Sequence, residues 1–271
     1  MENRDLNQLL ETIWNHYTAL NPRMADVRNL MATRDEVTVN DHVAFRTIHH
    51  PRVALETMMK PFIDLGYQEK GQYRFEDKKL NARHFEHATD PKAPKIFISE
   101  LMIHECSPLV QKTFLNSLEG VPDGLLGQPE FLVSGRHWPI DLATYEGLAE
   151  ESEYAAWMYI YGFRVNHFTL KVNHLTSFAG IADVNEFVEG HGFPLNEFGG
   201  RVKGTPASLL EQSSTIADPV TITFGDGQTK DIPSVFYEFA KRYPTANGQE
   251  FSGFIANHAD LIFQSTDRQH G

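Results

Sequence analysis

Asp41-His42-Val43-Ala44-Phe45-Arg46 and Asn166-His167-Phe168-Thr169-Leu170-Lys171 share one pattern at an offset of 125 residues: an acid or amide, a histidine, alternating apolar positions and a closing cation. Side chains of a strand alternate between its faces, so Val43 and Phe45 share one side while His42, Ala44 and Arg46 share the other. Both stretches therefore read as half-buried strands with a polar inner face. Downstream of the first, Leu55, Met58, Met59 and Phe62 make a helical stripe, with Pro61 expected to bend or end it and Gly66-Tyr67 closing it. Downstream of the second, Ile181, Val184, Phe187 and Val188 repeat that stripe and Gly192-Phe193 closes it, 126 residues after the first stop. Strand, helix and Gly-aromatic stop recurring in register mark an internal duplication.

Working outward, strand-like runs follow near 67–76, 79–87 and 95–103 in the first half, and near 207–216, 220–224 and 235–240 in the second, where Asp226-Gly227 supplies a tight turn. Each half reads as βαβββ. Before the duplication, Leu6, Leu9, Leu10, Ile13, Trp14, Tyr17 and Leu20 recur at helical spacing until Asn21-Pro22 breaks the pattern. Between the halves lies a mixed segment holding Pro108, Pro122, Pro129 and Pro139 and the aromatic cluster Trp157, Tyr159 and Tyr161. The predicted architecture is α+β: duplicated βαβββ modules forming an open, barrel-like sheet around a cavity. One domain covers 1–271, divided into a helical lead-in (1–38), a first module (39–103), an insertion packed on the core (104–160) and a second module (161–271).

Composition limits the chemistry. The 271 residues are 41% hydrophobic and 22% charged, a globular mix with no apolar run of the roughly 18 residues a membrane helix needs. A net charge of -12, from 24 basic against 36 acidic side chains, opposes a nucleic-acid backbone, and no basic patch offsets it. The charged N-terminus lacks the apolar core of a secretory signal, which predicts a cytoplasmic chain. Cys106 is the single cysteine, excluding a disulfide framework, a thiolate zinc cage and a multi-thiolate iron–sulfur cluster, so any metal must sit on histidine and carboxylate. The 13 histidines are the one composition number that points to chemistry.

If the two modules pair, His42 and His167 occupy equivalent inward positions and face each other across the shared cavity. Glu238, the lone carboxylate within Phe236-Tyr237-Glu238-Phe239-Ala240, is the candidate third ligand if that run is a strand; were the run a helix, Glu238 would face solvent. Two histidines and one carboxylate leave coordination positions open, an arrangement suited to Fe(II) that binds substrate and O₂ together, although Zn²⁺ or Mn²⁺ fits the same donors. Arg46 lies on the face of His42 with its Cα about 13 Å away at roughly 3.3 Å per residue, a spacing that suits a substrate chelated at one end and carrying a carboxylate at the other. Lys171 takes the matching place after His167, where a solvated strand-end lysine is the plainer reading. Glu100 is a candidate fourth ligand or pocket acid, while His84 with His87 and His49 with His50 lack ligand geometry. Phosphate-loop, dinucleotide and serine-elbow signatures are missing, which leaves nucleotide and serine-hydrolase readings without support.

Asp41-His42-Val43-Ala44-Phe45-Arg46-Thr47, Asn166-His167-Phe168-Thr169, Leu210-Glu211-Gln212-Ser213-Ser214-Thr215 and Phe236-Tyr237-Glu238-Phe239-Ala240 together resemble the 2-oxoadipate dioxygenase/decarboxylase family, also called D-2-hydroxyglutarate synthase, in its short form. The resemblance runs from about 40 to 268. It implies a vicinal-oxygen-chelate fold, Fe(II) on His42, His167 and Glu238, a substrate-carboxylate contact from Arg46, and a pocket-closing segment at Phe251–Phe254 in which Ser252 contacts substrate. The implied reaction takes 2-oxoadipate, a lysine-degradation diacid, and O₂ to D-2-hydroxyglutarate and CO₂. A Zn²⁺- or Ni²⁺-dependent hydrolase or glyoxalase-like isomerase on the same scaffold is the competing enzyme reading, separated by its lack of O₂ uptake. A non-catalytic small-ligand-binding protein is the other, separated by the lack of a tight metal site.

Overall fold

A computed structural model describes residues 2–34 and 36–266. In chain order the helices and strands are α1 Glu2–Leu20, α2 Arg23–Ala32, β1 Asn40–Ile48, α3 Leu55–Asp64, β2 Tyr67–Phe75, β3 Leu80–His87, β4 Lys95–Leu101, α4 Pro108–Glu119, α5 Leu142–Glu151, α6 Glu153–Tyr161, β5 Val165–Lys171, α7 Ile181–Gly190, β6 Lys203–Thr205, β7 Leu210–Ser214, β8 Pro219–Thr223, β9 Thr229–Pro233, β10 Phe236–Arg242 and α8 Ala256–Phe263.

Eight strands hydrogen-bond in the order β2-β3-β4-β1-β5-β10-β7-β6 into one curled sheet, a half-barrel. The duplication is visible in that order: β1 runs parallel to β4 and β5 parallel to β10, while β1 and β5 meet antiparallel at the centre. The two histidine-bearing strands are therefore neighbours. Outward-facing residues of these strands carry the helices. The Phe45 ring lies 5.8 Å from Phe62 of α3, and Trp14 and Tyr17 of α1 each bring a ring within 5.1 Å of Phe168 on β5. Helix burial on that convex side leaves the concave side to His42, Ala44 and Arg46 of β1 and their counterparts.

Three expectations change. Pro61 does not end α3, which continues to Asp64 because Leu55, Met58, Met59 and Phe62 around it are buried. The chain then turns at Gly66, whose φ of +94° only glycine adopts easily and where a Cβ would stand 3.1 Å from the His87 ring. Second, the run 220–224 does not join the sheet. It forms β8, which pairs only with β9 in a separate hairpin whose outer positions stay exposed while Ile222 and Ile232 pack on the core, so its Val/Thr/Ile alternation reports a strand outside the main sheet. The third sheet strand of the second half is instead the short β6, paired with β7. Third, Glu100 is neither ligand nor pocket acid. It aligns with Thr47, on the face opposite the histidines, and one carboxylate oxygen accepts from the Leu55 amide at 3.1 Å while the other meets His49 Nδ1 at 3.1 Å. Glu100 thus satisfies a free amide at the start of α3, where Ala54 offers no side-chain cap.

Candidate metal centre

The strand alternation carries His42, His167 and Glu238 to the concave face, where each is almost fully buried. β10 is a strand, so Glu238 points inward while Tyr237 and Phe239 point toward the helices. One donor atom from each of the three lies within 4.8 Å of the other two. Glu238 Oε2 is 2.9 Å from His167 Nε2 and 3.6 Å from His42 Nε2.

The far nitrogen of each ring is already committed. His42 Nδ1 meets Asp41 Oδ2 at 2.9 Å, and His167 Nδ1 meets Asn166 Oδ1 at 3.0 Å. Both partners are acceptors, so both Nδ1 atoms carry hydrogen and both Nε2 atoms turn toward the carboxylate, with His42 Nε2 also 3.0 Å from the Thr169 hydroxyl. A proton on Nε2 bridges nitrogen and carboxylate at 2.9 Å when no ion is bound, and a divalent cation would take the place of that proton between the same donor atoms. The donor set fits a metal of the two-histidine, one-carboxylate type.

Electrostatics agree. Burial pushes the Glu238 carboxyl up, but the charges and hydrogen bonds of His42 and His167 outweigh it and hold the group well below the usual carboxylate range. Burial also works against a charged His42, yet Glu238 and then Asp41 raise its pKa. His167 stays below its ordinary value because burial prevails over Glu238, with the positive charges of His42 and Arg46 adding to the effect. Asp41 is held ionised against its burial by Arg242 and His42.

Four supporting residues were not singled out by the sequence. Gln212 of β7 donates to Glu238 Oε1 at 2.7 Å, leaving Oε2 to the rings. Arg242 of β10 grips Asp41 through two nitrogens, at 2.7 and 2.9 Å, and donates to the Phe251 and Gly253 carbonyls. Phe254 closes the centre with its ring 4.8 Å from His42. Lys203 of β6 is buried with its ammonium on the Asn196 carbonyl, and burial lowers its pKa to about 8 although Glu238 opposes the shift. Alternation along β10 already places Arg242 on the face of Glu238, Phe254 lies in the segment expected to close the pocket and Gln212 in a stretch that carries the resemblance; nothing local marks Lys203.

The remaining candidates separate. Arg46 is 1% exposed, and its guanidinium packs against Tyr154, Trp157 and Phe263 with Glu153 as its ion-pair partner at 2.9 Å. Lys171 pairs with Glu250 near the surface. Ser252 is exposed, its hydroxyl against the Glu86 carboxylate, although Phe254 two residues on touches the centre. His84 faces Tyr73 and Glu86 instead of the metal residues. Among the described residues six buried side-chain atoms have no hydrogen-bond partner: Asn166 Nδ2 and Gln212 Oε1 beside the centre, Arg46 Nε on β1, and His137 Nε2, Tyr237 Oη and His258 Nδ1 elsewhere.

Paired βαβββ modules enclosing a buried His-His-Glu group that could bind a metal define a protein of the vicinal-oxygen-chelate fold. A glyoxalase-superfamily protein from Ralstonia eutropha JMP134 has this fold, with a TM-score of 0.79 at 21% identity over 94% of this chain and 87% of that one. Sequence comparison is narrower. The profile of the 2-oxoadipate dioxygenase/decarboxylase family matches residues 2–122 and 130–251, and the chain belongs to that family. It is 34% identical over 276 residues to the chloroplastic/amyloplastic 2-oxoadipate dioxygenase/decarboxylase of Oryza sativa subsp. japonica, covering 92% of this chain and 75% of the relative. The crystal structure of the hydroxyglutarate synthase of Oryza sativa in complex with 2-oxoadipate superposes with a TM-score of 0.91 at 32% identity, over 97% of this chain and 92% of that one. A crystal structure from Shewanella frigidimarina NCIMB 400, provisionally named a hydrolase, superposes with a TM-score of 0.88 at 47% identity, over 93% and 98%.

Proposed function

We propose that this chain converts 2-oxoadipate and O₂ to D-2-hydroxyglutarate and CO₂, with Fe(II) held by His42, His167 and Glu238. Family membership and the rice structure with 2-oxoadipate support the substrate. The observation that carries the reading is the convergence of three buried donors, with a buried guanidinium on the same face of β1 as His42. When bound, the metal supplies Lewis-acid polarisation of a 2-oxo acid and the electrons that activate O₂.

The residues do the rest by position. Asp41 and Asn166 fix the two rings with Nε2 forward, and Gln212 turns Glu238 so that one oxygen faces them. Arg46 takes the distal carboxylate of the diacid, setting which carbon lies near the metal. Phe254 and Phe236, whose ring stacks on His167 at 4.5 Å, exclude water. The proposed set omits Ser252. The scheme of one domain over 1–271, with its lead-in, two modules and insertion, belongs to the same reading. So does a cytoplasmic location, which the buried thiol Cys106, pushed up to about 11 by burial, suits.

The test loads the purified protein anaerobically with Fe(II), adds 2-oxoadipate, admits O₂, and follows oxygen loss and 2-hydroxyglutarate. Stoichiometric formation of both signals is expected; a fully loaded protein without turnover defeats the reading. Arg46→Ala is expected to lower kcat/KM for 2-oxoadipate by at least about tenfold while metal content stays constant, since one charge-assisted bidentate contact contributes roughly 1.5–3 kcal/mol.

A further inference from the structure

Helix α6, in the segment between the two modules, brings a carboxylate to the buried cation of β1. Glu153 Oε1 accepts from Arg46 Nη1 at 2.9 Å and from the Thr266 hydroxyl, while Arg46 Nη2 donates to Thr266 Oγ1 at 3.0 Å. Arg46 is buried, but the Glu153 side chain is 21% exposed. Glu153, Trp157 and Thr266 also line a cavity of about 350 Å³ that continues past Tyr145 and Lys230. Arg46 thus touches three cavity-lining residues on one side, and along β1 it shares the face of His42 on the other. Its Nε hydrogen meets no acceptor among the described residues.

We propose that Glu153 is a stand-in carboxylate: it holds Arg46 when no ligand is present and yields that place to the distal carboxylate of an incoming 2-oxo diacid, which enters through the adjoining cavity. This rests on the reading of Arg46 as the substrate-carboxylate contact.

Charge is the first reason. Buried Arg46 and partly exposed Glu153 form a neutral pair, and a second carboxylate on the same guanidinium would add a negative charge that nothing beside it compensates. Substrate and Glu153 therefore compete. Glu153 can also leave without losing its charge compensation. It is the first residue of α6, directly after the N-cap Ser152, where the helix N-terminus stabilises a negative charge, and the cavity beside it admits water. The consequence is selectivity. A 2-oxo monoacid has nothing to offer Arg46 in exchange for Glu153, whereas a diacid replaces one carboxylate by another and can also use the free Nε donor.

The test measures glutarate binding to the purified protein by calorimetry, with Glu153→Gln beside wild type, and KM for 2-oxoadipate and for the monoacid 2-oxohexanoate. Glu153→Gln keeps size and removes the competing charge, so glutarate should bind roughly tenfold tighter and KM for 2-oxoadipate should fall by a similar factor, without a matching gain for 2-oxohexanoate. Thr266→Val, which removes the hydroxyl holding Glu153 without changing any charge, should move glutarate binding the same way by less, and it decides the matter if the first variant does not fold. Unchanged or weaker glutarate binding overturns the proposal, because Glu153 would then position Arg46 for the ligand instead of competing with it. Tighter glutarate binding in a protein that turns over no 2-oxo diacid supports the stand-in role and defeats the proposed reaction instead.

Discussion

The two βαβββ halves share a backbone plan but contribute unequally to the centre. Each supplies a histidine from its first strand, yet only one supplies a carboxylate. His42 aligns with Lys95 on β4 and His167 with Phe236 on β10, so two residues further on Phe97 stands where the second half has Glu238. Rings fill that space: Phe254, from the C-terminal part of the chain, lies 4.9 Å from Phe97 and 5.3 Å from His84. A carboxylate in both places would give four protein ligands and crowd the positions substrate and O₂ need. The duplication therefore provides a symmetric frame, and one apolar residue in it, Phe97, would leave a bound metal open on that side.

The orienting groups break the symmetry as well. His42 is held by an ionised carboxylate that is itself clamped by Arg242, whereas His167 is held by the neutral amide of Asn166. Removing the one unshared ligand should have the largest effect. Glu238→Ala is expected to lower metal affinity by at least about a hundredfold, since outer-shell partners alone cost 10–100-fold. Metal content after dialysis against graded chelator checks this, and retention of the ion would show that the two histidines suffice.

The next effect separates the halves energetically. Asp41→Asn leaves Arg242 buried without a counter-charge and should cost about 3–5 kcal/mol of stability, whereas Asn166→Ala removes a neutral hydrogen bond and should cost about 1 kcal/mol. Urea unfolding of the two metal-free variants measures the difference, and equal losses would erase the distinction. The same pair sets an acid limb. Arg242 and His42 hold the Asp41 carboxyl below its ordinary value near 3.8 against the effect of burial. A group whose folded pKa is depressed gives stability that is present above its unfolded pKa and lost as pH falls through it toward the folded value. The stability advantage of wild type over Asp41→Asn should therefore shrink below about pH 4. An advantage that stays constant to pH 3 would mean that the Asp41–Arg242 pair does not carry it.

Much of this asymmetry was legible in sequence, and the illegible part has a physical cause. The two His-bearing strands repeat residue by residue, and alternation through Phe236-Tyr237-Glu238-Phe239 settles which side Glu238 faces once the run is a strand. Glu100 misled because its chain position in the first half resembles that of Glu238, while a difference in register by an odd number of residues sends it to the opposite face. The hairpin β8–β9 misled because alternation announces a strand and says nothing about its partner. Asp41 with Arg242 joins residues 201 apart, and Arg46 with Glu153 joins the first module to the segment between the modules; each pair is a product of tertiary packing that no local pattern encodes.

Arg46 and Lys171 give the smallest predicted effect and the finest test of the comparison, because they occupy corresponding places four residues after their histidines. Arg46 is enclosed by three aromatic rings and paired with Glu153, whereas Lys171 lies at the strand end with Glu250 as a partly exposed partner. An exposed ion pair gains little over water and is screened by salt, so Lys171→Ala should change stability by less than about 1 kcal/mol, and by less still in 1 M salt. Metal content and glutarate binding should stay at wild-type values. A drop in glutarate affinity in Lys171→Ala would show that the second half also reaches the substrate carboxylate and that the cation, unlike the carboxylate ligand, acts from both modules. Binding that depends on Arg46 alone would place metal-ligand asymmetry and substrate-contact asymmetry in opposite halves: the carboxylate ligand in the second, the carboxylate receptor in the first, with the diacid spanning the β1–β5 seam between them.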